Sequence, residues 1–385
     1  MASSAGGNTD LNSRNAAIAL GLALPADAVL YLLLPMYADH FGVTLAEAGL
    51  LLAANRLIRI AGYGWVARYY ARRGDRPTCT MAVIIAAVCS LGYATLSGFW
   101  ALLPLRLLWG LSYAGLNLST QSLATADLDG ASRRSGYSRA LIAMGPVISL
   151  PLGAVVALWI DPRAVFYVLG IAALLGLLVT RPLPSLAHHM AKRAKRFAWP
   201  NGLDMWSFME GLTLDGLFII GLSYLGKDLL PGGAVVVAGS LMAMRYLAEI
   251  LLSPLGGRMA ERAGPERMLV VMSLLTSVAL IGFGAGWLWS CAAVIVVLRA
   301  LQLPLLAPIV ARRTPGPERL QALANRSVWR DIGAGLGPML AGALLPIAPM
   351  LYVYAAAAIL LAAAAVACGI RPPETVVQAP PRPAE

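Results

Sequence analysis

The sequence predicts an all-α membrane protein of twelve transmembrane helices, arranged as two pseudo-symmetric six-helix bundles. Three observations predict it: apolar runs of span length, basic residues confined to alternate loops, and landmarks that recur about 193 positions apart. Of the 385 residues, 59% are hydrophobic and only 13% are charged, where a soluble domain carries about 25% charged residues. So little charge cannot cover a surface in water. Soluble enzymes, nucleic-acid-binding domains and disordered chains are therefore poor fits. The net charge of +11 reflects loops between apolar runs rather than a phosphate-bearing partner, and no nucleic-acid partner is expected.

A membrane-spanning helix takes about 20 apolar residues. The polar start, residues 1–14, has no basic n-region or cleavage site and reads as a flexible cytoplasmic tail. The first span, 15–38, is interrupted only by Asp27, and the second, 45–67, is weakened by Arg56 and Arg59. Spans follow at 78–97, at 100–125 around Arg106, at 135–160 around Gly145-Pro146, and at 163–181. The loop 182–200 is the longest and most basic and divides the chain six spans to six, as a linker between bundles over 15–181 and 201–371. The seventh span, 203–226, holds Glu210 and Asp215, and the eighth, 233–257, holds Arg245 and Glu249. The last four fall at 267–288, at 290–311 with Arg299, at 321–345 with Arg326, Arg330 and Asp331, and at 349–370. A Pro- and Ala-rich tail, 372–385, reads as disordered.

Orientation follows from loop lysines and arginines. One side collects Arg68, Arg72, Arg73 and Arg76, then Arg133, Arg134 and Arg139, then Arg181 with Lys192, Arg193, Lys195 and Arg196. It continues with Arg258, Arg262 and Arg267, then Arg312, Arg313 and Arg319, against only Arg163 and Lys227 opposite. Both termini are therefore expected in the cytoplasm. Cys79, Cys89, Cys291 and Cys368 lie in or beside apolar runs without a CxxC pair, and His188 and His189 lack acidic or thiol neighbours. No metal, disulfide or cofactor is expected.

The two halves repeat. Gly64-Trp-Val-Ala-Arg68 ends the second span as Gly257-Arg-Met-Ala-Glu261-Arg262-Ala-Gly264 ends the eighth, offset by 193 positions. Arg106 and Arg299 share that offset, Gly145-Pro146 and Gly337-Pro338 differ by 192, and Asp27 and Asp215 by 188. Ordered landmarks at a near-constant offset indicate a tandem duplication. The Gly257 to Arg267 loop resembles the Gly-x-x-x-Asp-Arg-x-Gly-Arg signature of the major facilitator superfamily, and Arg106-x-x-x-Gly110 resembles that family's fourth-helix arginine motif. The resemblance covers about residues 15–371 and implies a secondary transporter working by alternating access around a central cavity. The first-half loop departs from the pattern, with Arg68 in place of Asp and Ala71 in place of Gly.

Charges inside spans cost about 2.5–3.5 kcal/mol each even on a lenient scale, so they must pair or line a wet cavity. Asp27 and Asp215, mid-span and repeated, are the leading candidates for proton coupling, with Asp27 preferred and Glu210 and Glu249 as alternatives. A permanent salt bridge to Arg106 is the competing role for Asp27. Seven intramembrane arginines against five carboxylates suggest an anionic small-molecule substrate, since guanidinium grips carboxylate or phosphate in a bidentate way. Arg106 and Arg299 are the expected contacts, with Arg59, Arg245 and Arg330 either joining them or spent on carboxylates such as Glu249. Tyr31, Trp109 and Tyr113 are expected to line an amphipathic pocket, the alternative for these and for Trp206, Phe208 and Trp329 being plain packing. By the resemblance, the second helix packs near the eleventh and the fifth near the eighth. That predicts two gating ion pairs, Arg68 with Asp331 and Arg139 with Glu261, unless both arginines merely belong to the loop set.

The expected function is proton-coupled transport of a small organic anion or amphipath across the cytoplasmic membrane by a monomer, with export favoured because of an apolar, aromatic cavity. Uptake by symport, or a non-transporting sensor or assembly protein of the same fold, is the alternative. No enzyme motif is present: there is no Walker-type loop, no HExxH and no nucleophile–histidine set.

Overall fold

A computed structural model describes residues 2–185, 199–219 and 234–370. The basic stretch Lys192–Arg196, the histidine pair, Lys227 and the tail 372–385 lie outside the described residues. Among those described there is no strand. The helices are α1 (Ala2–Met36), α2 (Leu45–Arg73), α3 (Asp75–Thr95), α4 (Phe99–Ala124), α5 (Ala131–Trp159) and α6 (Ala164–Thr180). The second half comprises α7 (Gly202–Glu210, continuing as a π-helical stretch Gly211–Leu217), α8 (Ala234–Ala263) and α9 (Pro265–Gly284). It ends with α10 (Leu288–Arg313, tightened to a 3₁₀ turn at Leu303–Leu305), α11 (Arg319–Leu344) and α12 (Met350–Ile370).

Seven of these helices are long and apolar enough to cross a membrane on their own: α1, α3, α4, α5, α9, α10 and α12. α6 is apolar but only 17 residues long. α2, α8 and α11 carry Arg56, Arg59, Arg245, Glu249, Arg326, Arg330 and Asp331, charges whose cost is met inside the bundle.

α1 corrects the expected flexible tail. It is helical from Ala2, and its polar start docks on α5, where the Asp10 carboxylate pairs with Arg133 at 3.6 Å and Arg134 at 3.5 Å. One turn on, the Ser13 and Ser138 hydroxyls meet at 3.0 Å. Outward-facing Leu57, Ile148, Val168, Leu251, Val278 and Ile359 are more than half exposed, the surface a bilayer covers. Trp100, Trp159 and Trp287 stand exposed at the end opposite the basic loops, where an aromatic belt is expected.

Within each half, glycines let helices touch backbone to backbone. A Cβ on Gly145 of α5 would meet the Gly21 carbonyl of α1 at 2.1 Å, and one on Gly337 of α11 would meet the Leu212 carbonyl of α7 at 2.4 Å. Thus the repeated Gly-Pro landmarks seat equivalent helix pairs. The halves meet where α5 lies antiparallel to α8 and α2 antiparallel to α11. The first seam is close throughout: a Cβ on Gly136 would strike the Ser253 carbonyl at 2.5 Å, and one on Gly257 the Ser132 carbonyl at 2.4 Å.

Candidate functional site

A cavity of about 220 Å³ lies between the halves, bounded by α1, α2, α4, α5, α7, α8, α10 and α11. Its wall on the first-half side is organised by Asp27. That carboxylate accepts from Arg106 of α4 at 2.5 Å and from the Asn55 amide of α2 at 3.4 Å. Arg106 also donates through Nε to the Leu51 carbonyl at 3.1 Å and lies over the Tyr31 ring. Tyr31 in turn donates to the Leu52 carbonyl and reaches Asn55 Oδ1. Arg106 is fully buried and does not line the cavity.

The second-half wall holds three carboxylates against two guanidiniums. Arg299 of α10 pairs with Asp215, with Glu249 at 3.3 Å and with Glu210 at 3.9 Å. Arg330 of α11 pairs with Glu210 at 3.0 Å and Asp215 at 2.6 Å. Two carboxylates five residues apart would point to different faces of an α-helix. The π-helical stretch of α7, whose bonds join i to i+5, brings Glu210 and Asp215 to the same two arginines.

Between the walls, Arg59 crosses from α2 to Asp331 of α11 at 2.8 Å, lying over the Tyr113 ring at 4.7 Å. Arg56 donates to the Ala334 carbonyl. These contacts set the antiparallel register and correct the first expected gating pair. Arg59 is level with Asp331, so Arg68, nine residues further along α2, falls beside Gln321 and Asn325, where it and Gly64 line a separate crevice. The second pair is corrected for the same reason. Gly136 lies against Ser253 and Gly257 against Ser132, so Arg139 comes level with the Glu249 region and faces the central cavity. Glu261 instead accepts from the Arg133 backbone N–H at 3.2 Å.

The cavity gathers Asp27, Asp215, Glu249, Arg59, Arg245, Arg299, Arg330, Tyr31 and Tyr113 from the expected coupling and substrate sets, takes in Arg139 and Asp331 from the expected gating pairs, and adds Arg56. Glu210 stands behind the wall. Trp109 is 2% exposed and packs in the first-half core with Tyr113, so it is not a lining residue. Trp206 is core as well, donating to Ser273, and Phe208 packs edge-on against Trp329. Arg245 stacks on Tyr246 rather than pairing with Glu249 one turn away, which Arg299 holds. Arg262 and Gly264 stay at the loop end, where Gly264, with φ +85°, opens α9 as Gly74, with φ +80°, opens α3. Gly74 is thus the first-half counterpart of the loop glycine, a match hidden by the altered spacing after Ala71. Asn55 and Asp75 escaped the sequence reading. The latter is buried and accepts from Tyr70 and Ser119, each at 2.6 Å.

Comparison with known proteins agrees with this geometry. The model of the Major Facilitator Superfamily matches residues 16–226 and again residues 205–385. The inner membrane transport protein YnfM of Escherichia coli (strain K12) is 24% identical over 248 residues, which make up 60% of this chain and 59% of that protein. Among solved structures, the crystal structure of the human organic anion transporter MFSD10 (TETRAN) shares the fold. It superposes with a TM-score of 0.73 at 15% identity, over 92% of this chain and 99% of that one. Two copies of one family model, one per six-helix half, meet the duplication and the paired arginine walls: the chain belongs to the Major Facilitator Superfamily.

Proposed function

We propose that this transporter moves a small organic anion through the central cavity, coupled to protons, by alternating access. The observation that carries the substrate class is the lining itself: six arginines against four carboxylates. Of the six, Arg139, Arg245 and Arg56 have no carboxylate partner among the described residues. A guanidinium held in a low-dielectric cavity without an anion is costly, and a carboxylate or phosphate supplies the missing partner in bidentate form. Arg139 on α5 and Arg245 on α8 belong to opposite halves, so an anion held by both ties the halves together. The ground for favouring export, an apolar aromatic cavity, gives way to a charged one.

Protonation belongs on Glu249. Protonating Asp27 would strand Arg106, which has no other carboxylate partner among the described residues. Protonating Glu249 strands nothing, because Arg299 keeps Asp215 and Glu210. Three carboxylates on two guanidiniums leave one negative charge, which a single proton neutralises. Glu249 also lines the cavity, one helical turn from Arg245. With the basic loops in the cytoplasm and the chain in an inner membrane, like its bacterial relative, substrate and proton would meet across α8.

The test uses proteoliposomes with an interior pH dye, challenged with a panel of organic anions and cations. Wild-type protein is expected to couple proton movement to anions and not to cations. Glu249→Gln is expected to abolish coupling while retaining anion exchange between the two faces. Coupling intact in Glu249→Gln, or a response to cations alone, overturns the assignment.

A further inference from the structure

Beneath the central cavity, toward the basic-loop end, lies a second and much smaller space of about 20 Å³ between α4, α5, α10 and α11. Its polar wall carries several donors without acceptors, beside the Asn117 amide and the Thr120 and Ser138 hydroxyls. Arg326, 3% exposed, gives one N–H to Gln121 Oε1 at 3.0 Å, while its Nε and its other terminal nitrogen have no acceptor among the described residues. Gln121 Nε2 and Ser135 Oγ, on the same wall, are also buried without a partner. Arg139, one turn beyond Ser135, closes the side nearest the central cavity and makes no ion pair among the described residues. No carboxylate lines the space among the described residues, and Ile142, Leu303 and Leu306 complete it with apolar surface.

Buried charges are paired or they are costly, and here the partner is not another side chain. A water molecule could accept one or two of these hydrogen bonds but would leave the charge uncompensated. The space has room for about one water-sized body, since one water needs roughly 10–15 Å³ on this measure. Carboxylate and phosphate groups with their substituents are too large.

We propose that this is a binding site for a single monatomic anion of the chloride type, held by Arg326 of the second half and by Gln121, Ser135 and Arg139 of the first. The ion bridges the two halves at the seam where Arg319 also donates to the Thr125 carbonyl. It therefore stabilises the arrangement in which the basic-loop end is closed. The site adjoins the central cavity and shares Arg139 with it, but its test needs no substrate, so it stands or falls independently of the proposed transport.

The experiment measures thermal unfolding of the full chain in detergent while chloride replaces gluconate at constant ionic strength. Wild type is expected to show a saturable rise in Tm of about 2–4 °C. Arg326→Gln is expected to abolish the rise. Gln121→Glu places a tethered carboxylate beside Arg326, and is expected to unfold at or above the chloride-saturated wild-type Tm with no further response. Arg245→Gln, which removes an unpaired cation from the central cavity, is expected to keep the response. No chloride response in wild type overturns the proposal, as does an unchanged response in Arg326→Gln or loss of it in Arg245→Gln alone. Should Arg326→Gln fail to fold, a chloride response retained in Gln121→Glu is itself decisive against the site.

Discussion

The two repeated acid–arginine pairs look alike in sequence but stand in different circumstances. Among the described residues Asp27 is the sole carboxylate partner of a buried guanidinium, whereas Asp215 shares Arg299 with Glu210 and Glu249 and Arg330 with Glu210. Removing one partner of a buried pair leaves the other charge uncompensated, at a cost of about 3–5 kcal/mol. Asp27→Asn is therefore expected to lower unfolding stability by that order. Replacing both, Asp27→Asn with Arg106→Met, is expected to recover much of the loss, because apolar side chains often match a buried pair. Denaturation midpoints of the single and double variants check this. An unperturbed midpoint in Asp27→Asn would return that residue to the set of proton carriers.

At the scale of the helix, the second-half site depends on α7 changing its winding. The π-helical stretch sets Asp215 against the arginines, and the contact with α11 places it. Gly337→Ala would drive a Cβ to 2.4 Å from the Leu212 carbonyl and 2.5 Å from Gly216 Cα. Overpacking of this kind costs about 1–3 kcal/mol. Gly335, two residues earlier, has nothing within 4 Å of its Cβ position, so Gly335→Ala should instead gain about 0.5–1 kcal/mol from helix propensity. Opposite shifts in midpoint for two glycines of one turn are the expected outcome. The same elements show what was legible beforehand. The twelve segments, the duplication and the Gly-Pro landmarks can be read because hydropathy and repeat offset are properties of the chain alone. The π stretch has no comparable signature, since one residue of extra winding leaves composition unchanged. The helical start of α1 was hidden because its polar residues are satisfied by Arg133, Arg134 and Ser138, more than a hundred positions away.

For the whole molecule, what matters is which charges meet across the halves, and helix proximity alone points to the wrong ones. Setting the second helix near the eleventh and the fifth near the eighth pairs Arg68 with Asp331 and Arg139 with Glu261, but contact is set by the register of antiparallel helices. That register places Arg59 on Asp331 at 2.8 Å, with side chains 8% and 11% exposed. This pair joins α2 to α11 near mid-length, while the Glu261–Arg133 and Arg326–Gln121 contacts lie nearer the basic-loop end. Reversing one member, by Arg59→Asp or Asp331→Arg, sets like charges together in a low-dielectric seam and should separate the halves there. The expected readout is a longer distance between spin labels at Asp129 and Arg262, exposed positions in different halves at the basic-loop end. The exchange Arg59→Asp with Asp331→Arg restores opposite charges in the same register and should return the distance toward the wild-type value, along with anion exchange. Failure of the exchange to recover either quantity would mean that the pair serves its own bundles rather than the closure between them. Arg68→Glu, beside Gln321 and Asn325 rather than a carboxylate, should leave the label distance unchanged.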